Sequence, residues 1–412
     1  MINKKTISII LIVSFLFKLL LSLFYNQISF FDANSYRLAG EQLFNSGMIV
    51  LENVMPLYPI LVYIAEKSVG IVLVNIFIST ISIFLAYKIS YLIFKDNFSA
   101  LIVAIWMAFY PFNSFYALYS LTETFFVFLV LASFYYLYKY SYTKASLFFV
   151  LTLLVKPLIE ILAPLLIFLV SYFHHRSIYF SIKKILVYFL IYVSLMSAWW
   201  FHQYEKYGHF VRTNFSSSLV LYAGNNPLNK TGGGVIIDEH DLKENPERFD
   251  AELFDYSLEP FKDQVGFKVV AENFPVYLGG REAFLKRHNT LKDAALDFIK
   301  NNPKRFLELA ILKFKRFWSP IPFSKEFNSS FKITVSLISL LPIYIFFVIG
   351  IFFAVKKRIY KSIPILMFCI YINLIHVITI SSFRYRFIIE MFLIILASYG
   401  LSQVIKKLKL KK

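Results

Sequence analysis

Apolar residues recur in long, nearly uncharged runs along most of this 412-residue chain. Runs of about 20 residues match the hydrocarbon core of a bilayer, and a soluble domain has no use for them in such number. The pattern predicts ten spans, near 6–25, 69–93, 100–116, 121–138, 145–156, 158–173, 184–203, 331–354, 362–380 and 386–405. The fold class that follows is an all-α polytopic membrane protein with about ten transmembrane helices, in a range of roughly 8 to 13. Residues 1–203 are expected to form a transmembrane core with a first outer loop at 26–68, and 331–412 the C-terminal transmembrane helices. Between them, 204–330 is an extracytoplasmic region of small, mixed structure. The first run ends at Phe24-Tyr25-Asn26-Gln27 with no small-residue cleavage site, so it reads as an uncleaved span.

Two outer segments break the apolar pattern. In the first loop Tyr36, Ala39, Leu43 and Phe44 fall on one helical face, which predicts an amphipathic helix ended by Gly47 and lying in the membrane surface. Pro56-Leu-Tyr-Pro59 then opens a short apolar stretch that dips toward the bilayer. The second segment carries an acid-rich stretch from Asp238 to Asp255, read as a solvated surface, and closes with two amphipathic helices. The second of these is predicted to start at Asn302-Pro303, a cap followed by a first-turn proline.

Charge changes the picture by giving the spans a direction. The formal charge is +18, with 43 basic and 25 acidic residues. Basic residues gather in alternate connections: Lys4 and Lys5, Lys95, Lys139 and Lys144, Arg176, Lys183 and Lys184, then Lys356, Lys357, Arg358 and Lys361, and the tail from Lys406. The positive-inside rule puts these in the cytoplasm, with both termini, and the large loop outside. That distribution accounts for the excess charge and excludes a nucleic-acid partner. The single cysteine, Cys369, allows no internal disulfide.

Only then do candidate reactive groups stand out. Asp32, Glu123, Lys156, His202, Arg384 and Arg386 all fall at the outer ends of spans, with Glu160 and Glu390 one turn inside. Carboxylates and cations on one face of a membrane bundle suit an amphiphilic, anionic substrate. Transfer of a sugar from a lipid phosphate needs fixed cations for the leaving phosphate and a carboxylate to take the acceptor's proton. Each residue also has a plainer role: Asp32 and Glu123 as helix caps, Lys156 snorkelling to headgroups, Arg384 and Arg386 as interface anchors. Lys18, inside the first span, is a functional candidate by default; Glu160 and Glu390 are available partners, and nothing in the sequence fixes either.

The order Asp32-Ala-x-x-Tyr36-x-x-Ala39-x-x-Leu43-x-x-x-Gly47, then Pro56-Leu-Tyr-Pro59, resembles the first outer loop of the membrane-embedded (GT-C type) glycosyltransferases. The branch it is most similar to holds the bacterial relatives of dolichyl-phosphate-mannose protein mannosyltransferases and lipid A aminoarabinose transferases. Tyr119-Ser-Leu-Thr-Glu123, Leu154-Val-Lys156-Pro157, Trp199-Trp-Phe-His202-Gln-Tyr-x-x-Tyr-Gly208, Gly224-Asn225-Asn-Pro227 and Phe383-Arg384-Tyr385-Arg386 follow in the family's order. The resemblance implies an inverting transferase that moves a sugar from a polyprenyl-phosphate donor to an envelope glycan, lipid or protein hydroxyl, at the outer face of a bacterial cytoplasmic membrane. It implies Asp32 as base, Lys156, Arg384 and Arg386 as donor-phosphate contacts, and Glu123 as support for the acceptor or for a divalent metal. Tyr36, His202 and Asn225, within the matching motifs, become candidate substrate contacts. No other cofactor is implied, and no metal-ligand set. Ala33 stands where many relatives have Glu, Lys156 where they have Arg, and His202-Gln203 where they have Arg-Asn. A lipid-linked oligosaccharide transporter and an envelope glycan polymerase are the rival readings.

Overall fold

The computed structural model describes residues 4–24, 31–51, 53–234, 281–323 and 329–409. The acid-rich stretch from Asp238 to Asp255 lies outside them. The described residues are mostly helical, with no strand among them, and form an all-α membrane fold.

The helices are α1 (Lys4–Phe24), α2 (Phe31–Ser46), α3 (Leu57–Glu66), α4 (Ile71–Phe94), α5 (Asn97–Phe109), α6 (Pro111–Ala117), α7 (Thr122–Tyr138) and α8 (Tyr142–Leu153). They continue with α9 (Leu162–His175), α10 (Ile178–Tyr207), α11 (Ser216–Gly224), α12 (Arg281–Asn301), α13 (Pro303–Trp318), α14 (Ser330–Lys356), α15 (Ile363–Ile378) and α16 (Phe383–Lys409). Nine of the ten predicted spans each overlap one helix, and the tenth, 100–116, covers α5 and α6. Among the described residues, six are long and apolar enough to cross a membrane, and α5 with α6 makes a seventh, bent by 54°. The bend has a local cause: Tyr110 is extended and Pro111 has no N–H to continue the ladder. Helices α7, α8 and α9 are apolar but only 17, 12 and 14 residues long. At 1.5 Å per residue, α8 and α9 reach roughly 20 Å each, short of a full crossing.

The sequence pattern also sets which helices face lipid. Apolar side chains such as Ile9, Leu16, Leu190, Val193, Ile345 and Val348 are exposed on α1, α10 and α14. Helix α16 is the opposite case, buried without a break from Arg386 to Gly400. An apolar helix covered on every side is a core helix, and α16 packs against α14, α5, α4 and α15. Its contact with α14 runs backbone to backbone. A Cβ on Gly350 would sit 2.1 Å from the Leu396 carbonyl oxygen, and one on Gly400 2.2 Å from that of Phe346. Small residues permit this close approach where no hydrophobic force drives helices together. Phe134 of α7, Phe368 of α15 and Phe392 of α16 meet at ring distances of 4.8 to 5.6 Å. That buried cluster fixes α7 against α16, and with them the two helix starts that carry Glu123 and Arg384.

Lys18 is buried, and its partner is neither Glu160 nor Glu390. Its Nζ donates to Ser79 Oγ at 2.6 Å, and Ser79 donates in turn to Asn113 Oδ1 at 3.0 Å. Glu160 is instead held by Tyr192 and Arg212, and Glu390 by Arg386 and Tyr110. The outer-loop helix α2 ends as predicted: Gly47 takes φ +75° and its N–H returns to the Leu43 carbonyl. Helix α13 starts at Pro303, but Asn302 does not cap it. The Asn302 amide donates back to the Phe298 carbonyl.

Candidate active site

Four charged residues converge from sequence positions more than 350 residues apart, each placed by a local rule. Asp32 lies in the first turn of α2, and Glu123 in the first turn of α7. Helix N-termini carry partial positive charge and favour carboxylates there. Lys156 is extended, with φ −149° and ψ 123°, because Pro157 excludes the helical conformation from the residue before it. Arg384 is the second residue of α16.

Together they form an alternating chain of charge. The Arg384 guanidinium donates from Nη1 to Asp32 Oδ2. It donates from Nε to Glu123 Oε1 at 2.6 Å and from Nη2 to Oε2 at 3.3 Å. Lys156 Nζ reaches the same Oε1 at 2.7 Å. Glu123 is wholly buried, whereas Asp32 is 38% exposed, Arg384 24% and Lys156 18%. The caps expected as plainer roles are not formed: Leu121 takes the N-cap position of α7 without a side-chain bond, and the Asp32 carboxylate goes to Arg384.

These numbers divide the roles. Glu123, closed in and gripped by two cations, is a poor proton acceptor and a good clamp. Asp32 keeps Oδ1 without a hydrogen bond among the described residues and faces the open side. Of the five guanidinium N–H groups of Arg384, three are committed, and of the three on Lys156, one. Four donors are left for an anion. Burial lowers the Lys156 ammonium below the ordinary lysine value, with the Glu123 charge working against that shift. Tyr36 joins the cluster edge-on to Tyr58, with ring centroids 5.1 Å apart. Burial and the nearby Asp32 charge raise its phenol well above the usual tyrosine range, so it stays a donor.

The donor set does not fit a divalent metal supported by Glu123. Arg384 and Lys156 already occupy both Glu123 oxygens, Arg384 takes one of the two on Asp32, and no three His, Cys, Asp or Glu side chains converge among the described residues. Three other expected site residues also sit elsewhere. Arg386 is 1% exposed, bonded through Nε to Glu390 Oε1 at 2.7 Å and through Nη1 to the Phe317 and Ser319 carbonyls. It belongs to a closed ion pair and not to a donor-phosphate site. His202 stacks on Trp199, and its Nε2 accepts the Ile49 N–H at 2.9 Å. Asn225 is buried, donating to the Leu221 and Ile378 carbonyls and accepting from Lys313. Both brace the backbone instead of offering themselves to a substrate.

Sequence reasoning missed how the first loop is pinned. Lys206, buried near the end of α10, donates to the Val50 carbonyl at 2.6 Å, and Gln42 accepts the Val50 N–H at 3.0 Å. With His202 they hold residues 49–51 behind α2 and so help to fix Asp32. The one available signal was a lysine set among aromatic residues, which spacing alone does not distinguish from a snorkelling one.

Neither a protein-family model nor the sequence of a curated protein matches this chain. Among solved structures, the archaeal oligosaccharyltransferase AglB from Archaeoglobus fulgidus, in complex with an inhibitory peptide and a dolichol-phosphate, is similar along 99% of this chain, with a TM-score of 0.55. The likeness is one of fold. Sequence identity is 14%, and the chain covers 51% of that protein, about half its length. The shared fold agrees with a multi-pass membrane protein.

Proposed function

We propose that the chain is a glycosyltransferase that moves a sugar from a polyprenyl-phosphate donor to a hydroxyl of an envelope glycan, lipid or protein, with inversion, at the outer face of the cytoplasmic membrane. The observation that carries the reading is the Asp32–Arg384–Glu123–Lys156 chain, half open at the end of the bundle that the charge rule puts outside. The AglB structure holds a dolichol-phosphate, which supports a lipid-phosphate donor here.

In the proposed reaction the acceptor oxygen attacks the anomeric carbon from the side opposite the phosphate. Its proton passes to Asp32 Oδ1, the C1–O bond breaks, and the electron pair leaves on the lipid phosphate. The four remaining N–H donors of Arg384 and Lys156 receive that charge, in a site where fixed donors need no reorganisation. Glu123 touches neither reactant in this reading and holds both cations in place. Orientation, domain roles and the acceptor class rest on the same proposal.

Asp32→Asn keeps the size and the hydrogen bond to Arg384 but removes the base. Transfer from a polyprenyl-phosphate sugar to envelope acceptors should fall by about 10²- to 10⁴-fold, the span of general-base contributions, with unchanged abundance in the membrane. Undiminished transfer by that variant would overturn the mechanism. Movement of the lipid-linked sugar across vesicles without a new glycosidic bond would favour the transporter reading, and growth of product by whole repeat units the polymerase.

A further inference from the structure

A cavity of about 700 Å³ lies at the other end of the bundle, away from Asp32 and its partners. Helix α7 gives the separation. Glu123 starts it and Tyr138, which lines the cavity, ends it, so 15 residues or about 22 Å of helix stand between the two sites. The cavity is framed by the C-terminal ends of α7 and α9 and by the connection from α14 to α15.

Its lining has two characters. Arg176, Arg358 and Lys361 stand exposed at the rim, with the His174 ring beside them, and no carboxylate lines the cavity. None of the three cations forms an ion pair among the described residues. Lys361 lies over the Tyr140 ring at 5.4 Å, and that ring stacks on His174 at 3.5 Å. Below the rim the wall is apolar, built from α9 and α15 with Val170 and Met367. It runs out to Phe173 and Ile363, which are exposed on the bundle surface where acyl chains would lie.

The backbone adds a separate observation. Four residues other than glycine have left-handed φ among those described, and three of them line this cavity: Tyr140 at 58°, Arg176 at 54° and Arg358 at 53°. The fourth, Lys95, follows α4 at the same end. Glycine is the usual residue past a helix end because a Cβ is crowded there. Here the chain accepts that crowding and keeps a ring and two guanidinium groups.

We infer that this cavity binds an anionic glycerophospholipid, its phosphate among Arg176, Arg358 and Lys361 and its acyl chains along the α9–α15 wall. Unpaired cations over an apolar slot open to the bilayer match a lipid headgroup better than a soluble anion, which has no use for the wall. Basic pockets between membrane helices at the cytoplasmic side recognise such headgroups, and the charge rule assigns this end to the cytoplasm.

The test is native mass spectrometry of the full chain from nanodiscs of phosphatidylcholine with graded phosphatidylglycerol. Wild type should retain phosphatidylglycerol about tenfold better than phosphatidylcholine, and Arg176→Asn/Arg358→Asn/Lys361→Gln should remove that preference. Asparagine tolerates the left-handed backbone. A charge-matched control, Lys88→Gln/Lys144→Gln/Lys407→Gln, should keep the preference. Equal retention of both lipids by wild type, or an unchanged preference in the cavity variant, overturns the site. Displacement of the lipid by inorganic phosphate would make it a soluble-anion site and overturn the lipid assignment. A measurement independent of how the variant folds uses photoactivatable phosphatidylglycerol on wild type. Label should fall on peptides spanning 169–176 and 358–367, and label confined elsewhere refutes the proposal.

Discussion

Arg384 and Arg386 share one Phe383-Arg-Tyr-Arg386 motif and the first turn of α16, and both bind carboxylates. Their surroundings nonetheless differ in what chemistry depends on. Arg384 is 24% exposed, bridges two carboxylates from other helices and keeps two N–H groups uncommitted. Arg386 is 1% exposed and bonded to Glu390 one turn along its own helix, while Glu390 also accepts from Tyr110 at 2.7 Å. The reason is angular. Two residues along an α-helix turn about 200°, so neighbours at that spacing point to opposite faces. One face of α16 meets α2 and α7 at the open cluster, and the other meets Phe317, Ser319 and Tyr110 in the core. An arginine here is left open, as a candidate reactive group, or closed in as a staple according to what its face meets, and the motif alone does not say which.

The sharpest way to break that contrast is to remove the closed arginine. Arg386→Ala leaves the Glu390 carboxylate buried without its cation, a change that costs about 3–5 kcal/mol. The expected result is a large drop in thermal unfolding temperature in detergent and loss of protein from the membrane. Converting both partners, Arg386→Met with Glu390→Met, should restore most of the stability, since a buried pair replaced by apolar groups is often neutral. A stable Arg386→Ala protein that loses only donor binding would show that Arg386 belongs to the site after all.

What was legible from sequence follows the same division. Span positions were readable because a long apolar run carries its own signal, and each of the ten predicted runs holds a helix. Asp32, Glu123, Lys156 and Arg384 were readable as charges at span ends, and the structure brings all four into contact. Their connectivity was not. That Glu123 is the buried clamp and Asp32 the open carboxylate depends on how α7 packs against α16, a fact of packing no local pattern contains. Helix phase was the unused signal: 200° between Arg384 and Arg386, and i, i+4 spacing between Arg386 and Glu390, already separate the two arginines. The partners of His202 and Asn225 were not readable: they include the backbone groups of Ile49, Leu221 and Ile378, which leave no trace in side-chain composition.

A smaller effect sharpens the open side. Arg384→Lys keeps the positive charge but cannot reach Asp32 and both Glu123 oxygens at once. Loss of oriented donors to a developing anion is worth about 10²- to 10³-fold, so kcat/KM should fall by that order while the unfolding temperature moves far less than in Arg386→Ala. Equal stability losses in the two variants would erase the distinction between reactive group and staple.

The smallest effect concerns Lys156, and its sign follows from burial. Its ammonium is lowered below the ordinary lysine value, chiefly by desolvation, although the Glu123 charge opposes the shift. The charged form is therefore lost at a lower pH than for a lysine in water. If Lys156 binds donor phosphate, donor KM should rise on the alkaline side as pH climbs through that lowered value, while kcat, which the proposed mechanism ties to Asp32, changes little. Lys156→Arg stays charged across that range and adds the planar fork matched to phosphate. Its donor KM should stay level where the wild-type value climbs, with a change of less than about tenfold below that range, where both side chains carry charge. Parallel profiles for the two proteins would mean that Lys156 serves only to neutralise Glu123, leaving Arg384 to meet the phosphate alone.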